Sequence, residues 1–277
     1  MRDLLTRGTP VVAPGAYDAL SARLIEQAGF EAVYMTGFGA SASLLGRPDV
    51  GLLSFAEMVD HARRLVQAVD VPVIADADNG YGNHLNVMRT VREYEAAGVA
   101  ALHIEDQVAP KRCGHMAGKQ VIPAGEMVEK VRAAVEARRG DLLIIARTDA
   151  RAVEGLDAAL ARARSYRDSG ADVLFVEAPE DEREIEAIAA AFPDTPLVFN
   201  AVDGGRTPSL ALDRLGELGF SLVLRPVATL FAAARAVQEM LRTGETTMRF
   251  DEFTDLIGLP ELQALEDRLT DPGSSSL

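Results

Sequence analysis

The chain has 277 residues, 48% hydrophobic and 25% charged, which is the composition of a folded protein with ample material for a large core. Its net charge of -14 argues against a nucleic-acid-binding surface, which needs surplus Lys and Arg, but leaves room for a local basic pocket that takes a small anion. One cysteine cannot close an internal disulfide, no apolar run reaches the ~18 residues that span a bilayer, and MRDLLTRGTPVVAPG holds no signal-peptide core. The expectation is a cytoplasmic protein with no membrane or nucleic-acid partner.

Short apolar, β-branched runs then alternate with amphipathic segments. VVAPG (11–15) leads into a helical pattern over 17–28, and AVYMTG (32–37) into one over 55–68. VPVIADAD (71–78) precedes 87–97, and ALHIEDQ (101–107) precedes 124–138. LLIIARTDA (142–150), VLFVEAP (173–179), LVFN (197–200) and SLVLRP (221–226) precede helical patterns over 156–169, 181–191, 209–218 and 228–242. The runs are continuous rather than alternating, as expected for strands buried on both faces of a parallel sheet. Gly29, Gly98, Gly170 and Gly219 close helices just before strands. Eight strand–helix units predict a (β/α)8 TIM-type barrel over 1–245, with a doubly wound open sheet as the alternative. The segment 246–270 has helical spacing broken at Gly258-Leu259-Pro260 and lies outside the barrel ring; it is expected to pack on a neighbouring surface, of this subunit or of another. Residues 271–277 read as a disordered tail.

In such barrels the active site lies at the C-terminal ends of the strands. There the chain places Asp76 and Asp78, His103 and Glu105-Asp106, Arg147-Thr148-Asp149, Glu177, Asn200 and Arg225. Asp76 and Asp78, two apart on one strand, predict a shared wall that attracts a divalent cation. Glu105, and Asp49 in the loop after the second strand, could complete the set; oxygen donors favour Mg²⁺ or Mn²⁺ over zinc. Any one of these acids could equally cap the following helix. The loop KRCGHMAGK gathers Lys111, Arg112, His115 and Lys119 around Cys113. Cations there would lower the thiol's pKa and attract substrate carboxylates. The plain alternative is a bystander cysteine in a surface loop. His61, on the helix after the second strand, and His84, in a loop, read as solvated surface residues. GYG (80–82) permits close backbone approach, but no phosphate-cradling motif appears, so a nucleotide cofactor is not supported.

VIADADNGYGN, GVAALHIEDQVAPKRCGHMAGKQVIP and IIARTDARAVEGLDAALARA together resemble the isocitrate lyase/phosphoenolpyruvate mutase superfamily, in its short, methylisocitrate lyase-like branch. The likeness runs from about Pro14 to Ala236. It implies a barrel whose last helix is exchanged with a partner in a homodimer or homotetramer. It implies Mg²⁺ held directly by Asp76, with Asp49, Asp78 and Glu105 acting through water. It also implies a 2-hydroxy or 2-oxo acid substrate touching Tyr34, Thr36, Gly37, Gly114, Arg147, Glu177 and Asn200, with KRCGH as a gating loop. The reaction implied is carbon–carbon cleavage of a 2-methylisocitrate or alkylmalate type acid. Cys113 would protonate the carbanion; Lys111, Arg112 and His115 would hold the developing charge; Tyr34 and Glu177 are candidates for the hydroxyl base. Carboxyphosphonoenolpyruvate mutase-type C–P bond formation and oxaloacetate decarboxylation are the alternatives, with a non-catalytic barrel as a third. Two features depart from the methylisocitrate lyase pattern: the MAGKQVIP continuation, and Phe38 where a small residue is expected.

Overall fold

The strand runs are buried almost without interruption in a computed structural model that describes residues 1–114, 118–246 and 248–270. Among the described residues the strands are β1 (Val11–Ala16), β2 (Val33–Met35), β3 (Val73–Asp76), β4 (Ala101–Glu105), β5 (Leu143–Thr148), β6 (Val173–Val176), β7 (Leu197–Asn200) and β8 (Phe220–Arg225). Each pairs in parallel with the next, and β8 returns to β1 through Val11 opposite Leu222 and Pro14 opposite Arg225. The closed barrel is the expected (β/α)8 architecture; the open-sheet alternative falls with the β1–β8 pairing.

Strand alternation divides the core in two. Tyr34, Ile74, Leu143, Ile145, Phe175, Val198 and Leu222 fill the barrel, and Leu5 in the short N-terminal helix Arg2–Thr6 joins them. Their neighbours Val33, Met35, Ala75, Leu102, Ile144 and Leu174 face the outer helices instead. Parallel strands covered on both sides explain why the sequence shows apolar runs without alternation. Gly98 and Gly170 take φ +90 and +102 where helices turn back into strands, a conformation that side-chain-bearing residues rarely adopt.

Three local features differ from the expectation. GFGASASLL forms a helix, Gly37–Leu45, begun by Thr36, whose hydroxyl accepts from the Gly39 N–H at 3.2 Å. His84 opens the helix His84–Ala96 rather than lying in a loop, though it is solvent-exposed as expected. His61 is buried, at 5% exposure, on the inner face of the helix Phe55–Ala68 with Met58, Ala62 and Leu65.

The chain divides into two compact units, Met1–Phe231 and Ala232–Leu277. In the second, the helices Phe250–Leu256 and Leu259–Thr270 meet at Gly258, φ +87, where the sequence pattern breaks. Neither buries any residue; Phe250, Leu262 and Leu269 are 84%, 64% and 73% exposed. The tail 271–277 lies outside the described residues, as does His115.

Candidate active site

A cavity of about 270 Å³ opens at the C-terminal mouth of the barrel. That is just below the usual range for drug-sized ligands and suits a small acid. Tyr34, Thr36, Asp49, Asp76, Glu105, Lys111, Arg112, Cys113, Gly114, Arg147 and Asn200 line it, all of them expected site residues. Gly37, Asp78 and Glu177 stand immediately behind that lining.

Asp76 ends β3 and receives the Gly37 N–H at 3.2 Å, at the start of the helix Gly37–Leu45. A helix N-terminus favours a carboxylate. Gly37 is required there, since a Cβ would lie 2.4 Å from Asp76 Oδ2. Asp78 reaches the same place by a different route from the one expected. It lies past the end of β3 with φ +47, so strand periodicity does not direct it. A turn does, with the Asp78 N–H donating to Asp76 Oδ1 at 3.0 Å.

Two buried cations hold these acids together. Lys111 Nζ lies 2.6 Å from both Asp49 Oδ2 and Asp78 Oδ1. Arg147, on β5, donates to Asp149 at 2.9 and 3.1 Å and lies 3.3 Å from Glu105 and 3.4 Å from Glu177. Burial alone would raise Asp76, but His103, Lys111 and Arg147 bring it down to about 2. Burial dominates at Asp78 and raises it to about 6 despite Lys111. Glu105 is pushed well above the carboxylate range by burial, against the pull of Arg147. Burial works against the Lys111 ammonium, yet Asp78, Asp76 and Asp49 lift it well above its ordinary value.

No group of three or more His, Cys, Asp or Glu side chains among the described residues stands ready to hold a metal ion. Lys111 pairs with two of the expected ligands, Asp49 and Asp78. The donor chemistry nevertheless suits a hard divalent cation. The donors are carboxylate oxygens, and the buried Glu105 Oε1 has no hydrogen-bond partner.

Tyr34 sits on β2 with its hydroxyl 2.8 Å from His103 Nε2 and 3.5 Å from Asp76 Oδ2. Burial, with the charge of Asp76, drives its pKa well above 10, so the phenol keeps its proton. His103 is lowered to about 4 by burial, despite Asp76, and is neutral at pH 7. Asn200 donates through Nδ2 to Glu177 at 3.2 and 3.3 Å, which leaves its buried Oδ1 without a partner.

The cysteine loop is pinned on both sides of Cys113. Gln107 brackets the Arg112 backbone, accepting its N–H at 2.9 Å and donating to its carbonyl at 2.8 Å. Lys119 reaches back to the Gly114 carbonyl and pairs with Asp149 at 2.8 Å. Gly114 rests on Arg147 and Glu177 so closely that a Cβ would lie 2.5 Å from the guanidinium. Cys113 is half-buried and faces the cavity, which disfavours the bystander reading.

The sequence reading missed a supporting network. Asp106 accepts from Thr148 and Tyr166 at 2.7 and 2.8 Å and from the Asp149 N–H at 2.9 Å. It thereby fixes the carboxylate on which Arg147 and Lys119 converge. Burial raises the Asp106 pKa, with Asp149 adding to it. The adjacent acids Glu105 and Asp106 were a visible signal, but the remote Tyr166 was not. Also unforeseen was an apolar side of the cavity formed by Phe38, Val202, Pro226, Val227 and Phe231.

Barrel, mouth cavity, paired acids and cations, and an inward-facing thiol together define a (β/α)8-barrel enzyme. Residues 1–243 match the family described as phosphoenolpyruvate phosphomutase, and the chain belongs to it, within the phosphoenolpyruvate mutase/isocitrate lyase superfamily. It is 49% identical over 277 residues to the 2,3-dimethylmalate lyase of Eubacterium barkeri, covering 96% of each chain. Among solved structures it is similar to oxaloacetate acetylhydrolase in complex with 3,3-difluorooxalacetate, with TM-score 0.92, 36% identity and coverage of 99% and 97%. It is likewise similar to phosphonopyruvate hydrolase in complex with oxalate and Mg²⁺, with TM-score 0.86, 31% identity and 96% of each chain covered.

Proposed function

We propose that this enzyme is a Mg²⁺-dependent carbon–carbon lyase. It would cleave a 2-hydroxy di- or tricarboxylate, of the alkylmalate or 2-methylisocitrate type, to a 2-oxo acid and a carboxylate. The observation that carries this reading is the single cavity in which Cys113 faces Asp76, Lys111, Arg147 and Asn200. The relative named as a lyase supports it.

Asp76 would hold the ion, with Asp49, Asp78 and Glu105 around it; Mn²⁺ would serve as well. When bound, Mg²⁺ supplies positive charge to the substrate's carboxylate and α-oxygen. Arg147 and the Gly114 backbone border the space for that carboxylate, and Asn200 Oδ1 is an open acceptor for a substrate hydroxyl. Of the two candidate bases, Glu177 is the better placed to receive the C2 hydroxyl proton, one step behind Asn200. Tyr34, which retains its proton, would instead donate to an oxygen as charge develops. As the C2–C3 bond breaks, its electron pair passes to the departing carboxylate fragment. The Cys113 thiol would protonate that fragment. Lys111, Arg112 and His115 would balance the thiolate that remains.

The exposed apolar residues of the C-terminal helices support exchange of that segment with a partner subunit, in a homodimer or homotetramer. No helix among the described residues is long and apolar enough to cross a membrane, which accords with the proposed cytoplasmic location. The deciding experiment incubates the purified enzyme and Mg²⁺ with 2,3-dimethylmalate, 2-methylisocitrate and malate, and traps any 2-oxo acid as a hydrazone. The reading requires glyoxylate or pyruvate from at least one acid. No release from any, combined with phosphonate turnover by phosphorus NMR, would replace it with the mutase.

A further inference from the structure

The cavity has two chemically different sides. One carries Asp76, Lys111 and Arg147; the other carries Phe38, Val202, Val227 and Phe231. Phe38 and Phe231 meet edge to face, with ring centroids 6.5 Å apart and planes at 82°. They come from distant parts of the chain, Phe38 from the helix after β2 and Phe231 from the helix after β8. Neither ring is fully covered: Phe38 is half-buried and Phe231 is 45% exposed. Apolar surface left open inside a site gains free energy when an apolar part of a ligand covers it.

Among the described residues, the apolar side offers no counter-charge to a carboxylate. Lys111 is engaged with Asp49 and Asp78, and Arg147 with Asp149 and Glu177. Arg112 turns its guanidinium toward Gly118, where a Cβ would lie 3.1 Å from Nη1. Asp203, an acid, also lines the cavity, and its partner Arg225, 3.7 Å away, is not part of the lining. A carboxylate seated there would lose water without gaining a cation.

We infer that Phe38 and Phe231 are specificity-determining residues that seat an alkyl substituent of the substrate and reject a carboxylate at that position. The substrate class is then a 2-hydroxy dicarboxylate bearing small alkyl groups, not a tricarboxylate. This deepens the lyase reading and rests on it for the word substrate, but the recognition itself is a matter of binding.

The test is therefore calorimetric. The full-length Cys113→Ser protein, with Mg²⁺, is titrated with malate, 2,3-dimethylmalate and 2-methylisocitrate. Dimethylmalate is expected to bind about tenfold or more tighter than malate, the usual worth of small apolar groups in an apolar pocket. It is also expected to bind tighter than 2-methylisocitrate. Phe38→Ala and Phe231→Ala, added singly, should shrink the dimethylmalate-to-malate ratio, with oxalate binding as the check that the polar side is intact. Val202→Lys, which adds a cation to the apolar side, should shift the preference toward 2-methylisocitrate. The inference is overturned if 2-methylisocitrate binds the parent at least as tightly as dimethylmalate. It is also overturned if the ratio stays fixed in Phe38→Ala, Phe231→Ala and Val202→Lys alike. Should the binding order hold while wild-type enzyme cleaves none of the acids, the apolar seat stands and the lyase reading falls.

Discussion

The two sides of the cavity differ in what holds them in place. The acid side, at the ends of β3, β4 and β5, is a buried ionic lattice in which Lys111 and Arg147 between them approach five carboxylates. The side formed by Phe38, Val202, Val227 and Phe231 contributes apolar surface. The contrast separates chemistry from selection. Charges fixed before the substrate arrives need little reorganisation as the reaction proceeds. Apolar contacts discriminate among shapes at a smaller free-energy scale.

The largest break in that comparison is expected on the chemical side. Cys113→Ser should lower kcat by about 10²–10⁴, the span typical of a positioned proton donor. Mn²⁺ affinity, read by electron paramagnetic resonance, should stay within about twofold, because the sulfur serves the carbanion and not the ion. Unchanged turnover would remove the thiol from the mechanism. Next comes Arg147→Met, which leaves Glu105, Asp149 and Glu177 buried without their common cation. Breaking a buried pair in this way costs about 3–5 kcal/mol, measurable as a lower urea midpoint.

Gly37→Ala should have a smaller, local effect. Its Cβ would press within 2.4 Å of Asp76 Oδ2 and displace the carboxylate. Metal affinity is expected to fall about 10–100-fold, as for other changes to residues that orient a ligand. Metal titrations with no loss of affinity would show that Asp76 is not the anchor.

A pH series sharpens the same side. Asp78 is raised to about 6 in the metal-free protein, so below that pH it carries a proton the ion must displace. Mg²⁺ affinity should fall as pH drops through about 6. Asp78→Asn should weaken binding and flatten that fall. The smallest effect belongs to the apolar side. Phe38→Leu keeps most of the surface and should cost about 1 kcal/mol in kcat/KM for an alkyl-bearing acid, with no change in the pH profile.

The barrel was legible because its strands are covered on both faces, which forces uninterrupted apolar runs such as VIAD in β3 and LIIART in β5. The acids and Arg147 were legible for a related reason: polar residues ending such runs have few places to go other than the mouth. His61 was misread although its spacing with Met58, Ala62 and Leu65 marked the inner helix face. The helix Gly37–Leu45 was overlooked because its glycine- and serine-rich sequence has low intrinsic preference for helix. The Thr36 cap and the close approach of Gly37 to Asp76 explain the choice of residues there.

The chain's own order of residues therefore determined the architecture, the mouth at which chemistry is gathered, and most of the groups gathered there. These follow from periodicity and local burial, which act over a few residues. Tertiary structure alone decided which charges pair and which ring faces which. Lys111 meets Asp49 across 62 positions, and Phe38 meets Phe231 across the β1–β8 closure. Such pairings depend on where distant strands end in space, and short-range physical chemistry carries no record of that.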